Sequence, residues 1–200
     1  MAREHRILMC RRSVLGVLSR RKTETRRLKE PPWHEGDLLW MAEAWRTMGD
    51  WDTLSPREIL RDAEWAGMLP IRYEADEIGQ RPSLCDGRTR PGMFLPKALA
   101  RPLRLKVLDV HSEQLQSISE ASALAEGLEP REEYWSNPSN PCVYYVLPGE
   151  PRANPKATYS YPIDAYRAWW GELHRRQGER WEDNPVVWVT QWEIVNEQQG

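Results

Sequence analysis

Apolar and polar positions set out a series of short elements. His5 to Met9 (HRILM) reads as a first strand, and Ser13 to Leu18 places Val14, Leu15, Val17 and Leu18 at helical spacing. Thr23 to Leu28 alternates as a strand with one polar face. Gly36-Asp37 marks a turn, after which Leu38 to Trp45 (LLWMAEAW) is a strongly apolar strand. Residues 46–70 lack a strand pattern, predict a short helix from Pro56 to Trp65 and have the character of an insertion. Ile71 to Ala75 is strand-like, and 76–92 is a polar loop.

The second half repeats the mixture. Pro102 to Val110 alternates, with Leu103, Leu105 and Val107 on one face. Ser119 is placed to cap a helix that Gly127 stops. Residues 129–160 hold six prolines and predict a long loop or second insertion. Tyr161 to Gln177 predicts a helix with Pro162 in its first turn, and Val186 to Val195 a closing strand. Strands at irregular spacing with few helices between them predict an α+β fold. The expectation is one domain over 1–200, a small mixed-sheet barrel rather than a Rossmann unit. The chain has no GxGxxG, P-loop or GxSxG signature.

Composition narrows the chemistry. A net charge of −2 argues against binding nucleic acid by bulk electrostatics, yet residues 1–30 carry ten Lys/Arg against three acids, a net +7. Eleven Trp against one Phe suggests rings at cleft rims or against ligands. Cys10, Cys85 and Cys142 lie far apart without metal-ligand spacing, so neither a metal nor another cofactor is expected. No signal-peptide core is seen, nor a run of about 18 apolar residues to span a membrane. The expectation is a cytoplasmic protein that does not engage the membrane.

The basic excess peaks at Arg20-Arg21-Lys22-Thr23-Glu24-Thr25-Arg26-Arg27. An amine, hydroxyls and guanidiniums gathered there suit an anionic or nucleobase-bearing ligand; a solvated basic face is the bland alternative.

The order of motifs resembles a known family. A hydrophobic helix is followed by Lys22-Thr23-x-Thr25-x-Arg27, then by Gly36-Asp37-x-Leu39-Trp40-x-x-Glu43-x-Trp45. Further on, Val107-x-x-Val110 leads through Leu115-Gln116-x-Ile118-Ser119-Glu120 to Ala125-Glu126-Gly127-Leu128, and the chain closes with Asn184-Pro185-x-Val187-Trp188-Val189. Together these resemble the ASCH domain, a PUA-like β-barrel, in its long phage and prophage form. The resemblance covers most of 5–47 and 101–195 and leaves insertions near 48–70 and 129–160.

It implies a PUA-like barrel with flanking helices. Short bacterial members remove the acyl group from N4-acetylcytidine, and the residues carried over are Lys22, Thr25 and Glu126, with Arg27 as the motif arginine. The implied substrate is a modified pyrimidine nucleoside. Other members resemble RNA-binding modules, so a non-catalytic module for RNA or modified nucleotides is the alternative. A phage accessory protein whose insertions bind a protein partner is a third. One departure is Arg20, where the family usually has Gly; a left-handed helix end there would cost about 1 kcal/mol more without glycine.

Amide hydrolysis would use Thr25 as nucleophile with Lys22 as base, or Glu126 activating water while Lys22 steadies the oxyanion. On a regular strand Lys22 and Thr25 face opposite sides, so they converge only if Lys22 lies in the turn before the strand or a bulge intervenes. Thr23 would share a face with Thr25 and Arg27, as a substrate contact or simply a β-former. Glu43, an acid in an apolar strand, would pair with Arg27 or touch substrate. Trp45 would stack on a base or pack in the core.

Overall fold

The computed structural model describes residues 2–66, 71–76, 85–133, 142–150 and 158–196. Alternation in Glu4–Leu8 (β1) turns Ile7 inward, and helix Arg11–Leu18 (α1) lays Val14 and Val17 over it. A tight reversal then leads to Glu24–Arg27 (β2). Leu38–Ala42 (β3) pairs parallel with β1 from Glu4↔Leu38 to Leu8↔Ala42. Two long strands, Leu103–Gln114 (β6) and Val186–Asn196 (β9), pair antiparallel through a register shift between Val107 and Asp109. β3 takes one half of β6 (Leu39↔Leu105) and β2 takes one half of β9 (Thr25↔Thr190).

The main sheet therefore runs β1-β3-β6-β9-β2, mixed in direction, with β1 and β2 at its edges. No ladder closes it among the described residues, and the architecture is α+β on a mixed sheet, as expected at that level. One side chain links the two edges: the Arg27 guanidinium on β2 donates to the Leu8 carbonyl at the end of β1. The bulge in β6 lies just past the residues that pair with β3, and such a bulge bends and twists its strand.

Three apolar clusters hold the fold. Ile7, Leu39, Met41, Leu105, Val107 and Trp192 pack under α1, each fully buried aliphatic side chain contributing roughly 1.5–3 kcal/mol. Helices Glu120–Ala125 (α3) and Pro162–Leu173 (α4) enclose a second around Leu115, Leu128, Tyr166 and Trp169. Pro56–Ala66 (α2) and the 95–99 segment form a third around Trp45.

Several expected elements are revised. The strand from Leu38 to Trp45 breaks at Glu43-Ala44, and Trp45–Arg46 (β4) joins Arg72–Tyr73 (β5) in a separate ribbon. Gly92 explains the break: its backbone sits so near that a Cβ would lie 2.8 Å from the Ala42 carbonyl oxygen. The expected strand from Ile71 to Ala75 shortens to β5 and runs into a 3-10 turn. Within 129–160, Glu129–Glu133 (β7) and Cys142–Val146 (β8) form a hairpin where a loop was expected. α4 stops at Leu173, short of Gln177, because Trp170 stacks on His174 and donates to the Glu179 carbonyl at 2.8 Å. Parts of the expected insertions and polar loop (67–70, 77–84, 134–141, 151–157) lie outside the described residues. Among those described, no helix is long and apolar enough to cross a membrane.

Candidate active site

β2 is a polar strand whose Glu24, Thr25 and Arg26 are all buried, on both of its faces. Charged residues are seldom buried unless paired. Just before the strand, Lys22 is 1 % exposed, and its backbone bridges in antiparallel fashion to Glu126, itself 3 % exposed. The Lys22 ammonium donates to the Glu126 carboxylate and also to the Glu126 backbone carbonyl at 3.0 Å. Glu126 is the C-cap of α3, so the cation meets the carbonyl end of that helix, where positive charge is favoured.

Local sequence builds this contact from both sides. Ser119 caps α3 by accepting from the Ser122 N–H at 3.1 Å, and Gly127, at φ +106°, turns the chain out of the helix. The Thr23 N–H donates to the Ala125 carbonyl at 2.8 Å. On the other side, Arg21 and Lys22 N–H groups both donate to the Gly16 carbonyl, and Arg20 takes φ +59°. The left-handed turn is thus made by a non-glycine residue, at a cost of about 1–2 kcal/mol. Gly16 and Gly127 hold the Lys22 stem between them: a Cβ on either would lie 3.0 Å from the Lys22 Cβ.

Lys22, Thr25, Arg26 and Glu126 line one small cavity of about 50 Å³, walled by Tyr166, Trp169, Trp170 and Leu173 of α4. Lys22 lies in the bridge before β2, the geometry its convergence with Thr25 required. The Lys22 ammonium stands 5.4 Å from the Trp169 ring centre. Arg26 completes the charge pattern. It donates to Glu113 at 2.8 Å, contacts Glu24 at 2.5 Å and reaches the second Glu126 oxygen at 3.4 Å. Burial opposes the Arg26 charge, but Glu126, Glu24 and Glu113 outweigh it and raise its pKa. Tyr166 is fully enclosed; burial first, then the Glu126 charge, push its hydroxyl well above the usual value, so it remains a proton donor.

Of the other sequence-derived candidates, Arg27 does not line this cavity; its guanidinium donates to the Leu8 carbonyl, and burial lowers its pKa from the usual arginine value. Its Nε has no hydrogen-bond partner among the described residues. Thr23 exposes its side chain and serves through its backbone, its carbonyl accepting from the Trp192 N–H at 2.9 Å. Glu43 pairs with Arg101 at 2.6 Å, not with Arg27, and burial raises its pKa against that partner. Trp45 is fully buried against Ile59, Leu95 and Leu99, with the Arg90 guanidinium 5.4 Å from its ring centre. Neither lines the Lys22 cavity. The sheet break at Glu43 directs both toward the neighbouring ribbon and its cluster.

Sequence reasoning missed the α4 wall. The helical stripe of Ala165, Trp169 and Leu173 reads as ordinary core, Tyr166 and Trp170 carry no pattern, and only the excess of Trp hinted at ring-lined space. Arg26 was assigned to the face opposite Thr25, and the register agrees, yet its length and the buried acids draw it into the same network.

A larger cleft of about 550 Å³ adjoins the cavity, sharing Trp169 and Leu173 with it, and is lined by the start of α1 and the ends of β1 and β3. Among the described residues no cluster of His, Cys, Asp and Glu could hold a metal ion. Compared with known proteins, the chain matches no family model, no curated protein and no solved structure.

Proposed function

We propose that this protein is an amidohydrolase of the ASCH type that removes the acyl group from N4-acylated cytosine nucleosides, N4-acetylcytidine being the model substrate. The observation that carries the reading is the enclosure of Lys22, Thr25 and Glu126 in one cavity. A basic patch evolved only for solubility would keep its ammonium in water. Taking a Lys–Glu pair out of water costs several kcal/mol per ion, and an apolar pair of similar volume is often as stable. Four charged side chains kept at this one point favour chemistry over stability. The mixed sheet, with α1 packed across it and Arg27 of one edge strand bonded to Leu8 of the other, supports a PUA-like ancestry.

The reaction balances simply. Water adds its oxygen to the acyl carbon, the bond from that carbon to the exocyclic nitrogen breaks, and the freed amine takes a proton, leaving cytidine and a carboxylic acid. Two routes use the same side chains. In one, the Thr25 hydroxyl attacks and forms an ester that water then cleaves, with the Lys22–Glu126 pair passing the proton to the amine. In the other, Glu126 takes a proton from water while the Lys22 ammonium steadies the oxyanion. Arg26 and the Tyr166 hydroxyl hold the Glu126 carboxylate in either route, and Arg27 is the proposed substrate-binding arginine. No cofactor is called for, and the working compartment is the cytoplasm. Release of cytidine from N4-acetylcytidine, lost in Lys22→Ala, tests the proposal.

A further inference from the structure

The two adjoining spaces differ about tenfold in volume. The smaller one, at about 50 Å³, has room for only a small group. The larger one, at about 550 Å³, is within the usual range for a small-molecule site. Trp169 and Leu173 border both. Trp169 is buried, whereas Leu173 ends α4 and is 56 % exposed, free to change rotamer. Arg27 donates to the carbonyl of Leu8, a residue of the cleft lining.

The charge of the cleft also discriminates. Its charged lining residues are Arg11, Arg12, Glu74 and Glu172, two of each sign. Arg12 is already engaged by Glu150 at 3.2 Å, with Glu172 at 4.0 Å. A balanced lining with apolar Met9, Ala42 and Trp169 suits a neutral, flat, polar-edged ligand. It offers a polyanion little attraction.

We infer that the cleft is the subsite for the nucleoside half of the substrate, and that the acyl half passes Leu173 into the smaller cavity, restricting the enzyme to short acyl groups. This rests on the hydrolase reading for its acyl half only. The cleft assignment stands on its own.

Cys10 provides the probe, because it is exposed and lines the cleft, while the exposed Cys142 on β8 serves as internal control. Alkylation of the whole protein by iodoacetamide would be followed at both thiols by peptide mass mapping, with and without millimolar cytidine. The inference expects Cys10 to be protected severalfold and Cys142 not at all. An unchanged Cys10 rate overturns the cleft assignment, even in a preparation that hydrolyses N4-acetylcytidine. Protection by cytidine monophosphate but not by cytidine overturns the neutral-ligand choice. Protection without turnover of any acyl derivative upholds the cleft and removes the hydrolase reading instead. For the acyl half, wild type should favour N4-acetyl- over N4-benzoylcytidine in kcat/KM by about tenfold or more, within the range one pocket can discriminate, and Leu173→Ala should narrow the ratio. Equal rates in wild type, or a ratio unmoved by Leu173→Ala, overturn it.

Discussion

Lys22 and Glu126 are joined through backbone and side chain at once: their main chains form an antiparallel bridge, and the ammonium holds both the carboxylate and the carbonyl of the same residue. A residue that precedes a strand is thereby fixed to a residue that ends a helix 104 positions later. The position of the amine is set by the fold rather than by a flexible side chain.

Stability and chemistry can be separated at this pair. Lys22→Met or Glu126→Leu alone leaves a buried charge without its partner and should cost about 3–5 kcal/mol in denaturant unfolding. The double variant should recover most of that loss while remaining inactive. If the double variant is no more stable than the singles, the pair is not the electrostatic unit described.

The two glycines around the Lys22 stem make a second test. Gly127→Ala combines a strained backbone at φ +106° with a close contact and should lose about 1–2 kcal/mol along with activity. Gly16→Ala lies in a helix, where alanine is favoured by about 1 kcal/mol, so its melting temperature should fall less. Its Cβ would still press on Lys22, and turnover should drop. Full turnover in Gly16→Ala would show that the lysine has room to move.

Asp37 predicts an acid limb. Its carboxylate accepts from the Arg3 N–H at 2.9 Å and the His34 N–H at 3.1 Å, and those bonds, then the neighbouring His5, hold its pKa below the usual carboxylate value. A carboxyl depressed on folding adds stability above its unfolded pKa, and that contribution is lost as pH falls through the folded value. Wild type should therefore lose more stability than Asp37→Asn between about pH 4 and lower pH. Parallel curves for the two proteins would remove Asp37 from the account.

Trp45 tests the limits of the site. Enclosed as it is, Trp45→Ala should cost about 3–5 kcal/mol. Trp45→Phe should keep the KM for N4-acetylcytidine while lowering the melting temperature. A large KM increase in Trp45→Phe at unchanged secondary structure would return this ring to the substrate.

The part of the fold legible in sequence was the part with clean periodicity. Ile7, Val14 and Val17, the Ser119 cap, the Gly127 stop and the long alternating strands all follow local rules that packing did not override. The β7–β8 hairpin stayed hidden because Glu129–Glu133 is polar with a proline and lacks the alternation that marks a strand. The break at Glu43 was hidden too, since it depends on Gly92 approaching from nearly fifty residues away. For the site, Lys22, Thr25 and Glu126 were visible as motif residues. Arg101 as the partner of Glu43, and Tyr166 and Trp169 as the cavity wall, depend on tertiary contacts that no local pattern encodes.

The most direct measurement is turnover of N4-acetylcytidine by purified wild type, followed by chromatographic detection of cytidine, beside Lys22→Ala, Thr25→Ala and Glu126→Ala. The account predicts cytidine release by wild type and loss of most of it, about a hundredfold or more, in each variant. No cytidine at high enzyme concentration, or full activity in any one variant, would contradict it.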